Sequence, residues 1–200
     1  MLASLRWVVR HRAWTPYHLV RYVRFLRLVR RSPDVRVEGL VLLGRRVELL
    51  ARPGYGRIVL GRFSHLGDDC RVRAHEGTVR LGDKVVLGRD VTINAYLDVE
   101  IGPATIVADS VYVCDFDHRF DDPAVPIKDQ GIVKSPVRIG ADCWIGTKVV
   151  VLRGAAVGDG SVVAAGSVVR GELPPRSVAV GVPARVVRTR PGPGPDLGTV

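Results

Sequence analysis

The chain has 200 residues, of which 46% are hydrophobic, and it carries a formal net charge of +10 at pH 7. This length and apolar content allow one buried core, so a single compact unit with appendages is expected. Residues 1–46 hold eleven arginines against two acids, a charge of +9, which leaves +1 for the remaining residues. The charge is therefore local, and we expect no nucleic-acid partner.

The N-terminal segment, residues 1–34, mixes apolar residues with arginines that recur every three or four positions. These arginines interrupt every apolar run, so no membrane span or signal-peptide core is expected. After Pro16 the spacing predicts an amphipathic helix with an apolar side and a basic side. The apolar side contains Tyr22, Phe25, Leu26 and Val29, and the basic side contains Arg21, Arg24, Arg27 and Arg30.

Two roles are open for this helix. Its apolar side is expected to pack on the rest of the protein or on a neighbouring subunit. The alternative is peripheral association of residues 1–31 with an anionic membrane surface, at its inner face if the protein is cytoplasmic.

A period of six residues runs through the rest of the chain. Aliphatic residues recur at Ile139, Ile145, Val151, Val157, Val163 and Val169. Small or β-branched residues follow the first five by four positions, at Cys143, Val149, Ala155, Ser161 and Ser167. Three upstream tracts keep the spacing: Leu60, Leu66, Val72; Leu81, Leu87, Ile93; and Ile101, Val107, Val113. Glycine directly after the aliphatic residue, as at Gly140, Gly146 and Gly158, predicts a tight corner there.

This period does not fit an α-helix, which repeats every 3.6 residues. It predicts short strands coiled around a narrow apolar axis, three strands to a turn, in an all-β solenoid. The alternative, an antiparallel sandwich, shows turn signals at irregular spacing. The solenoid is the expected fold class.

The stretch from about 58 to 188 resembles the hexapeptide-repeat acyltransferases, nearest to sugar and polysaccharide O-acetyltransferases such as galactoside and maltose acetyltransferases. The resemblance implies a left-handed parallel β-helix over residues 35–188 and a homotrimer with active sites between subunits. Handedness comes from the resemblance alone, since left-handed crossovers oppose the usual preference. The Pro-Gly run within residues 189–200 predicts a disordered tail.

The repeats stop at Val113 and resume at Ile139, which predicts a loop over residues 115–137 that protrudes from the coils. In the resembling family, a histidine after an Asp-rich turn is the general base, which points to His118 as catalytic. An imidazole can take the proton of a hydroxyl as its oxygen attacks a thioester. Asp115 and Asp117 are expected either to orient this imidazole or to cap the turn that starts the loop.

The break between the second and third tracts reads Ile93-Asn94-Ala95-Tyr96. By the resemblance, Asn94 aligns with an asparagine that binds the acceptor, and Tyr96 lies in the same predicted acceptor site. Asparagine also suits the corner of a broken coil, so both roles stay open for Asn94.

The C-terminal coils resemble the family's acetyl-CoA tract. The resemblance implies that Trp144 lines the groove near the acyl end and that Thr147 and Ala165 meet the pantetheine arm. Arg170, Arg185 and Arg188 are expected to meet the phosphates of CoA. The family more often has Thr-Lys at the position of Arg170-Gly171, so this chain departs from the family there.

Neither a metal site nor a covalent nucleophile is expected. His65, His75 and His118 are widely separated in the sequence and lack the close pair that a zinc site requires. Cys70 and Cys143 fall on inward positions, and Cys114 has no cationic neighbour in sequence to lower its pKa. An odd number of cysteines without a CxxC pair indicates reduced thiols and a cytoplasmic setting.

Together these features predict an acetyl-CoA-dependent O-acetyltransferase that acts on a sugar or cell-envelope glycan, without a covalent intermediate. Two alternatives remain from the sequence. One is a non-catalytic β-helix scaffold that docks through its basic helix, and the other is N-acetylation of an amino sugar.

Overall fold

The chain winds into a three-sided parallel β-helix with a helix at its N-terminal end. The computed structural model describes residues 8–10, 12 and 14–191. Helix α1 (Pro16–Arg31) precedes the coils. Most of the predicted tail, residues 192–200, lies outside the described residues.

Each side of the β-helix is one parallel sheet to which successive coils add one strand. Sheet A contains β1 (Val35–Val37), β4 (Gly56–Leu60), β7 (Gly77–Leu81), β10 (Asp98–Ile101), β15 (Val137–Ile139), β18 (Ala156–Val157) and β21 (Glu172–Leu173). Sheet B contains β2 (Leu42–Leu43), β5 (His65–Leu66), β8 (Val86–Leu87), β11 (Ile106–Val107), β16 (Trp144–Ile145), β19 (Val162–Val163), β22 (Ser177–Gly181) and β23 (Ala184–Thr189), whose last two strands are antiparallel. Sheet C contains β3 (Glu48–Ala51), β6 (Arg71–Ala74), β9 (Thr92–Ala95), β12 (Tyr112–Cys114), β17 (Val150–Val151) and β20 (Val168–Val169).

The aliphatic residues of the six-residue repeat form the core. Every predicted aliphatic position, from Leu60 to Val169, is at most 2% exposed. The small residues four positions later, such as Cys143 and Ser161, are buried to the same degree. The all-β solenoid is therefore confirmed, and its geometry fits the left-handed β-helix that the resemblance implied.

The corners of the coils differ from the prediction. Left-handed backbone occurs three positions after the aliphatic residue, as at Asp142 (φ 52°), Lys148 (φ 58°) and Gly160 (φ 69°). The glycine directly after the aliphatic residue has another role: a Cβ on Gly140 would lie 2.7 Å from the backbone nitrogen of Asp159. Glycine is present there because the next coil approaches its backbone closely.

Aspartates at these corners connect neighbouring coils. Each accepts a hydrogen bond from a backbone N–H of the preceding coil, a contact that supports the stacking of the coils. The pairs are Asp68 with Arg45 (2.8 Å), Asp83 with Arg62 (2.7 Å), Asp109 with Arg89 (2.7 Å) and Asp159 with Ala141 (2.8 Å).

Helix α1 packs on the first coil, against β1 and β2. Phe25 and Leu28 contact the core from this helix. Arg21, on the predicted basic side, is only 8% exposed, and its guanidinium bonds the imidazole of His65 on β5. Leu26, predicted on the apolar side, is exposed, and the side chain of Val29 lies outside the described residues. Within the described part of the chain, no helix has the length and apolar content needed to cross a bilayer.

One insertion interrupts the coils. After β12 the chain forms an antiparallel hairpin of β13 (Phe116–His118) and β14 (Ile132–Lys134), with a short 3₁₀ helix (Ile127–Asp129) between its strands. The coil resumes at β15 in register, since Tyr112 on β12 pairs with Val150 on β17. The hairpin therefore protrudes from the side of an otherwise continuous solenoid.

Candidate active site

His118 lies at the end of β13, where the hairpin opens into its loop, and its side chain is exposed. It pairs across the hairpin with Ile132. The backbone N–H of Arg119 bonds the Gly131 carbonyl at 3.0 Å, so the ladder continues one residue beyond the histidine. The imidazole is thus presented to solvent from a hydrogen-bonded strand, not from a flexible tip.

Asp115 anchors the base of the hairpin. The residue is fully buried, and its carboxylate accepts hydrogen bonds from the backbone N–H groups of Tyr96 (2.8 Å), Leu97 (2.8 Å) and Asp98 (2.7 Å). Its own carbonyl accepts a bond from the N–H of Ser135 at 2.9 Å, at the other end of the hairpin. The side chain caps a turn of the preceding coil, at residues 96–98, and not the turn that starts the loop.

Asp117 forms an ion pair with Arg153, which follows β17. Within the part of the chain that the structure describes, neither Asp115 nor Asp117 has a hydrogen bond to the His118 ring. The orienting role of both carboxylates stays a prediction. Arg153 was missed because its partner lies in the insertion, 36 residues away.

An aromatic row leads from the solenoid to His118. The ring of His75 stacks on Tyr96 with centroids 4.6 Å apart and planes 16° apart. Tyr96 meets Phe116 edge to face at 4.7 Å, and the centroids of Phe116 and His118 are 6.4 Å apart. We call His75, Tyr96 and Phe116 the aromatic row. It connects the histidine to two lower coils through ring contacts.

The register of sheet C explains the row. Ala74 pairs with Ala95, so His75 and Tyr96, the next residues, lie at the same place on successive coils. Lys134 of β14 lies 5.6 Å above the Tyr96 ring and pairs with Glu76, next to His75. His75 was missed as part of this site because the sequence alone does not show which corners are neighbours.

Asn94 lies on β9 and pairs in register with Cys114 at the start of the insertion. Its side-chain nitrogen donates to the Tyr112 hydroxyl at 3.2 Å. Burial raises the pKa of Tyr112, so this phenol stays protonated at neutral pH. Among the described residues, Asn94 Oδ1 is the buried side-chain oxygen or nitrogen without a hydrogen-bond partner. An unpaired buried acceptor costs about 1–3 kcal/mol, which is unusual in a native fold.

Trp144 projects outward from sheet B, between Ile106 and Val162 of the neighbouring coils. It is 55% exposed and Ile106 is 50% exposed, so the two form an open apolar strip. Thr147 and Ala165 follow at exposed corners of two successive coils. The N–H of Gly166 bonds the Thr147 carbonyl at 2.9 Å, which places these corners side by side.

The three arginines predicted for CoA are all exposed but do not share one sheet. Arg185 and Arg188 lie on β23, which extends sheet B beyond Trp144. Arg170 follows β20, at the end of sheet C. The structure therefore brings Arg185 and Arg188 to the sheet of Trp144 and leaves Arg170 on another side.

The cysteines lie in the core. Burial raises the pKa of the Cys70 thiol to about 11 and also raises the pKa of Cys114 and Cys143. All three stay protonated at neutral pH and are poor nucleophiles. Among the described residues, no three His, Cys, Asp or Glu side chains form a group that could hold a metal ion.

Known proteins with similar sequences identify the family of this chain. Residues 136–171 match the family model described as bacterial transferase hexapeptide (six repeats). WbbJ of Escherichia coli K12, named for O-acetyl transfer in lipopolysaccharide biosynthesis, is 32% identical over 82% of this chain and 87% of its own length. The chain belongs to the hexapeptide-repeat acyltransferase family.

Another relative in the hexapeptide-repeat acyltransferase family comes from Mycobacterium tuberculosis H37Rv and is named a probable acetyltransferase, Rv3034c. It is 56% identical over 94% of this chain, and the chain spans 63% of that relative's length. Among solved structures, AntD, an N-acyltransferase from Bacillus cereus in complex with dTDP and 3-hydroxybutyryl-CoA, shares the fold. Its TM-score is 0.68 at 19% identity, covering 82% of this chain and 88% of AntD. The predicted family is confirmed.

Proposed function

We propose that this protein is an acetyl-CoA-dependent O-acetyltransferase that acts on a hydroxyl of a sugar or cell-envelope glycan, in the cytoplasm, with His118 as general base. The observation that carries the proposal is the exposed His118 imidazole on a hairpin whose base is pinned by the buried Asp115. Its relationship to WbbJ, named for O-acetyl transfer in lipopolysaccharide biosynthesis, supports the choice of acceptor class.

The chemistry needs one proton acceptor. The imidazole takes the proton of the acceptor hydroxyl while its oxygen bonds to the thioester carbonyl carbon. The carbon–sulfur bond then breaks, and the imidazolium returns the proton to the CoA thiolate. A direct transfer of this kind uses no enzyme nucleophile, and the raised thiol pKa values of the three cysteines agree with that.

Acetyl-CoA is proposed to lie along sheet B. The exposed Trp144 and Ile106 offer an apolar surface near the acyl end, and the corners of Thr147 and Ala165 offer backbone groups to the pantetheine arm. Arg185 and Arg188 on β23 supply guanidinium groups for the phosphates. Arg170 keeps its predicted phosphate role only if CoA also reaches the side of sheet C.

The acceptor is proposed to bind beside the hairpin. The unpaired Oδ1 of Asn94 can accept a hydrogen bond from an acceptor hydroxyl after a small local movement, and Tyr96 lies next to the hairpin base. N-acylation of an amino sugar is the second candidate, favoured by the fold shared with AntD. The same base serves a hydroxyl or an amine.

The active unit is proposed to be a homotrimer in which loop and groove come from adjacent subunits, as the family resemblance implies. The distribution of the predicted residues supports this arrangement: the His118 hairpin continues from sheet C, whereas Trp144 lies on sheet B. Sedimentation at micromolar concentration should give a trimer, and a monomer would contradict this assembly.

The test uses labelled acetyl-CoA with sugars, nucleotide sugars and lipid-linked glycans, for the wild type and for His118→Ala. Transfer to a hydroxyl acceptor is expected for the wild type, with kcat about 10²- to 10⁴-fold lower in His118→Ala, the usual contribution of a general base. His18→Ala on α1 is the matched histidine control, since its ring bonds Thr15 and its helix packs on the first coil. Calorimetry with CoA separates the enzyme from the scaffold: a non-catalytic scaffold should not bind CoA, so a lack of binding would favour it. Retention of more than about a third of kcat in His118→Ala would exclude this base.

A further inference from the structure

Within the described part of the chain, one face of helix α1 is uncovered. Its other face is occupied: Phe25 and Leu28 pack on the core, and Arg21 bonds His65 and covers the Tyr17 ring at 4.2 Å. Solenoid packing therefore accounts for only part of the apolar surface of the helix.

The uncovered face carries a continuous apolar stripe. Leu19, Val23 and Leu26, spaced by four and three residues, are 53%, 46% and 52% exposed. On a helix this spacing puts them in one line. Val20 lies beside the stripe, and Trp14 just precedes the helix; both are about half exposed or more. A stripe of this kind on a helix surface marks an interaction site.

Arginines without partners border the stripe. Helix α1 contains no acidic residue. In the part of the chain that the structure describes, Arg24, Arg27 and Arg30 form no ion pair. The partner of this face must therefore offer negative charge to the arginines and an apolar environment to the stripe.

An open cavity lies where the helix meets the corners of the first two coils. Its volume is about 510 Å³, and its polar lining comes from Arg21, Arg24, Arg45 and Asp68. Asp68 is already paired with Arg45 at 3.0 Å. Arg21 and Arg24 give the cavity an excess positive charge, on the flank of the helix that faces the coils. Tyr17 and Val20 form its apolar wall.

We propose that this face docks on an anionic phospholipid bilayer. Leu19, Val23 and Leu26 enter the boundary between headgroups and acyl chains, Arg27 and Arg30 remain at the headgroups, and Arg24 adds positive charge on the flank of the helix. A helix that lies in the plane of the interface combines these two features. The docking follows from the helix face alone and holds whatever the acceptor is.

Two other occupants fit the face less well. A second copy of the chain would bring the same unpaired guanidinium groups against each other, which opposes association. A nucleic acid would use the arginines but leave the apolar stripe in water. An anionic bilayer can contact both the arginines and the apolar stripe.

The test is cosedimentation of the full chain with vesicles of phosphatidylcholine, either alone or with about 30% of the anionic lipid phosphatidylglycerol. Binding is expected only to the anionic vesicles, and it should fall steeply with salt because surface charges are screened over roughly 8 Å at physiological ionic strength. Arg24→Glu with Arg27→Glu should weaken binding by at least about tenfold. Arg57→Glu with Arg80→Glu, exposed on β4 and β7, changes the net charge equally and should bind as the wild type does.

The stripe has its own variant, Leu19→Ser with Val23→Ser, which keeps every charge and touches only exposed side chains. It should also lose at least about tenfold in vesicle binding while its circular dichroism and thermal unfolding stay unchanged. The proposal is overturned if the wild type ignores anionic vesicles, or if the two charge-reversal pairs weaken binding equally. Unchanged binding of the stripe variant would indicate adsorption by charge alone, and its loss of oligomerisation would assign the face to a second copy.

Discussion

The carboxylate of Asp115 and the backbone N–H of Tyr96, 2.8 Å apart, join the base of the His118 hairpin to the preceding coil. The same side chain holds the N–H groups of Leu97 and Asp98, so three donors depend on one buried carboxylate. This contact makes the position of His118 depend on a residue that does not touch it.

Asp115→Ala should lower the free energy of unfolding by about 3 kcal/mol or more, because it removes three charged hydrogen bonds and leaves their donors unpaired. Asp109→Ala is the matched control, since its exposed carboxylate holds a single backbone N–H and its loss should cost about 1 kcal/mol. Denaturant unfolding of both variants measures the difference. Equal decreases in the free energy of unfolding of the two variants would show that Asp115 stabilises the fold no more than Asp109 does.

Tyr96→Ala opens the middle of the aromatic row and should lower kcat by about tenfold with little change in the KM for acetyl-CoA, because Phe116 then loses the ring it packs against. Tyr96→Phe keeps the ring and should restore kcat. If Tyr96→Phe instead raises the KM for the acceptor, the hydroxyl contacts the acceptor directly, as the sequence predicted. Tyr55→Ala, an exposed tyrosine on Arg52, serves as the neutral control.

Trp144→Ala should weaken CoA binding by about tenfold, since a large exposed aromatic surface is lost from the proposed groove. Isothermal titration calorimetry with CoA measures this change. Trp14→Ala is a close control because Trp14 has the same 55% exposure but precedes α1. Unchanged affinity in Trp144→Ala would move the CoA groove away from sheet B.

His65 should make the fold sensitive to acid. Burial, with the nearby Arg21 cation, lowers the pKa of His65 to about 4 in the folded protein, against 6.5 for the free side chain. Between these values the unfolded chain binds more protons, so stability falls as the pH drops from above 6.5 towards 4. Tm should fall between about pH 7.5 and about pH 5, and this decrease should be smaller in His65→Asn than in the wild type. An identical decrease in the two proteins would exclude this role for His65.

Much of the fold could be read from the sequence because its cause is local. The six-residue recurrence of Ile139, Ile145 and Val151 reports directly which side chains face the axis, and all three are at most 2% exposed. The interruption between Val113 and Ile139 likewise located the hairpin that presents His118. Each of these predictions needs only the order of residues within one or two coils.

The tertiary structure decided what depends on neighbours between coils. His75 joins Tyr96 only because Ala74 and Ala95 pair across coils of different length. Arg21 has the spacing of a residue on the basic side of the helix, yet it is buried where the helix contacts His65.

The roles of Asp115 and Gly140 were decided in the same way. The contact of the Asp115 carboxylate with three N–H groups of the preceding coil could not be predicted from the sequence, because it joins residues 17 to 19 positions apart. Gly140 is needed because the backbone of the next coil, at Asp159, comes too close for a side chain. The sequence by itself determined the solenoid and the position of its insertion, since hydrophobic periodicity is a one-dimensional property. Contacts between coils depend on register and coil length, and only the folded chain brings those together.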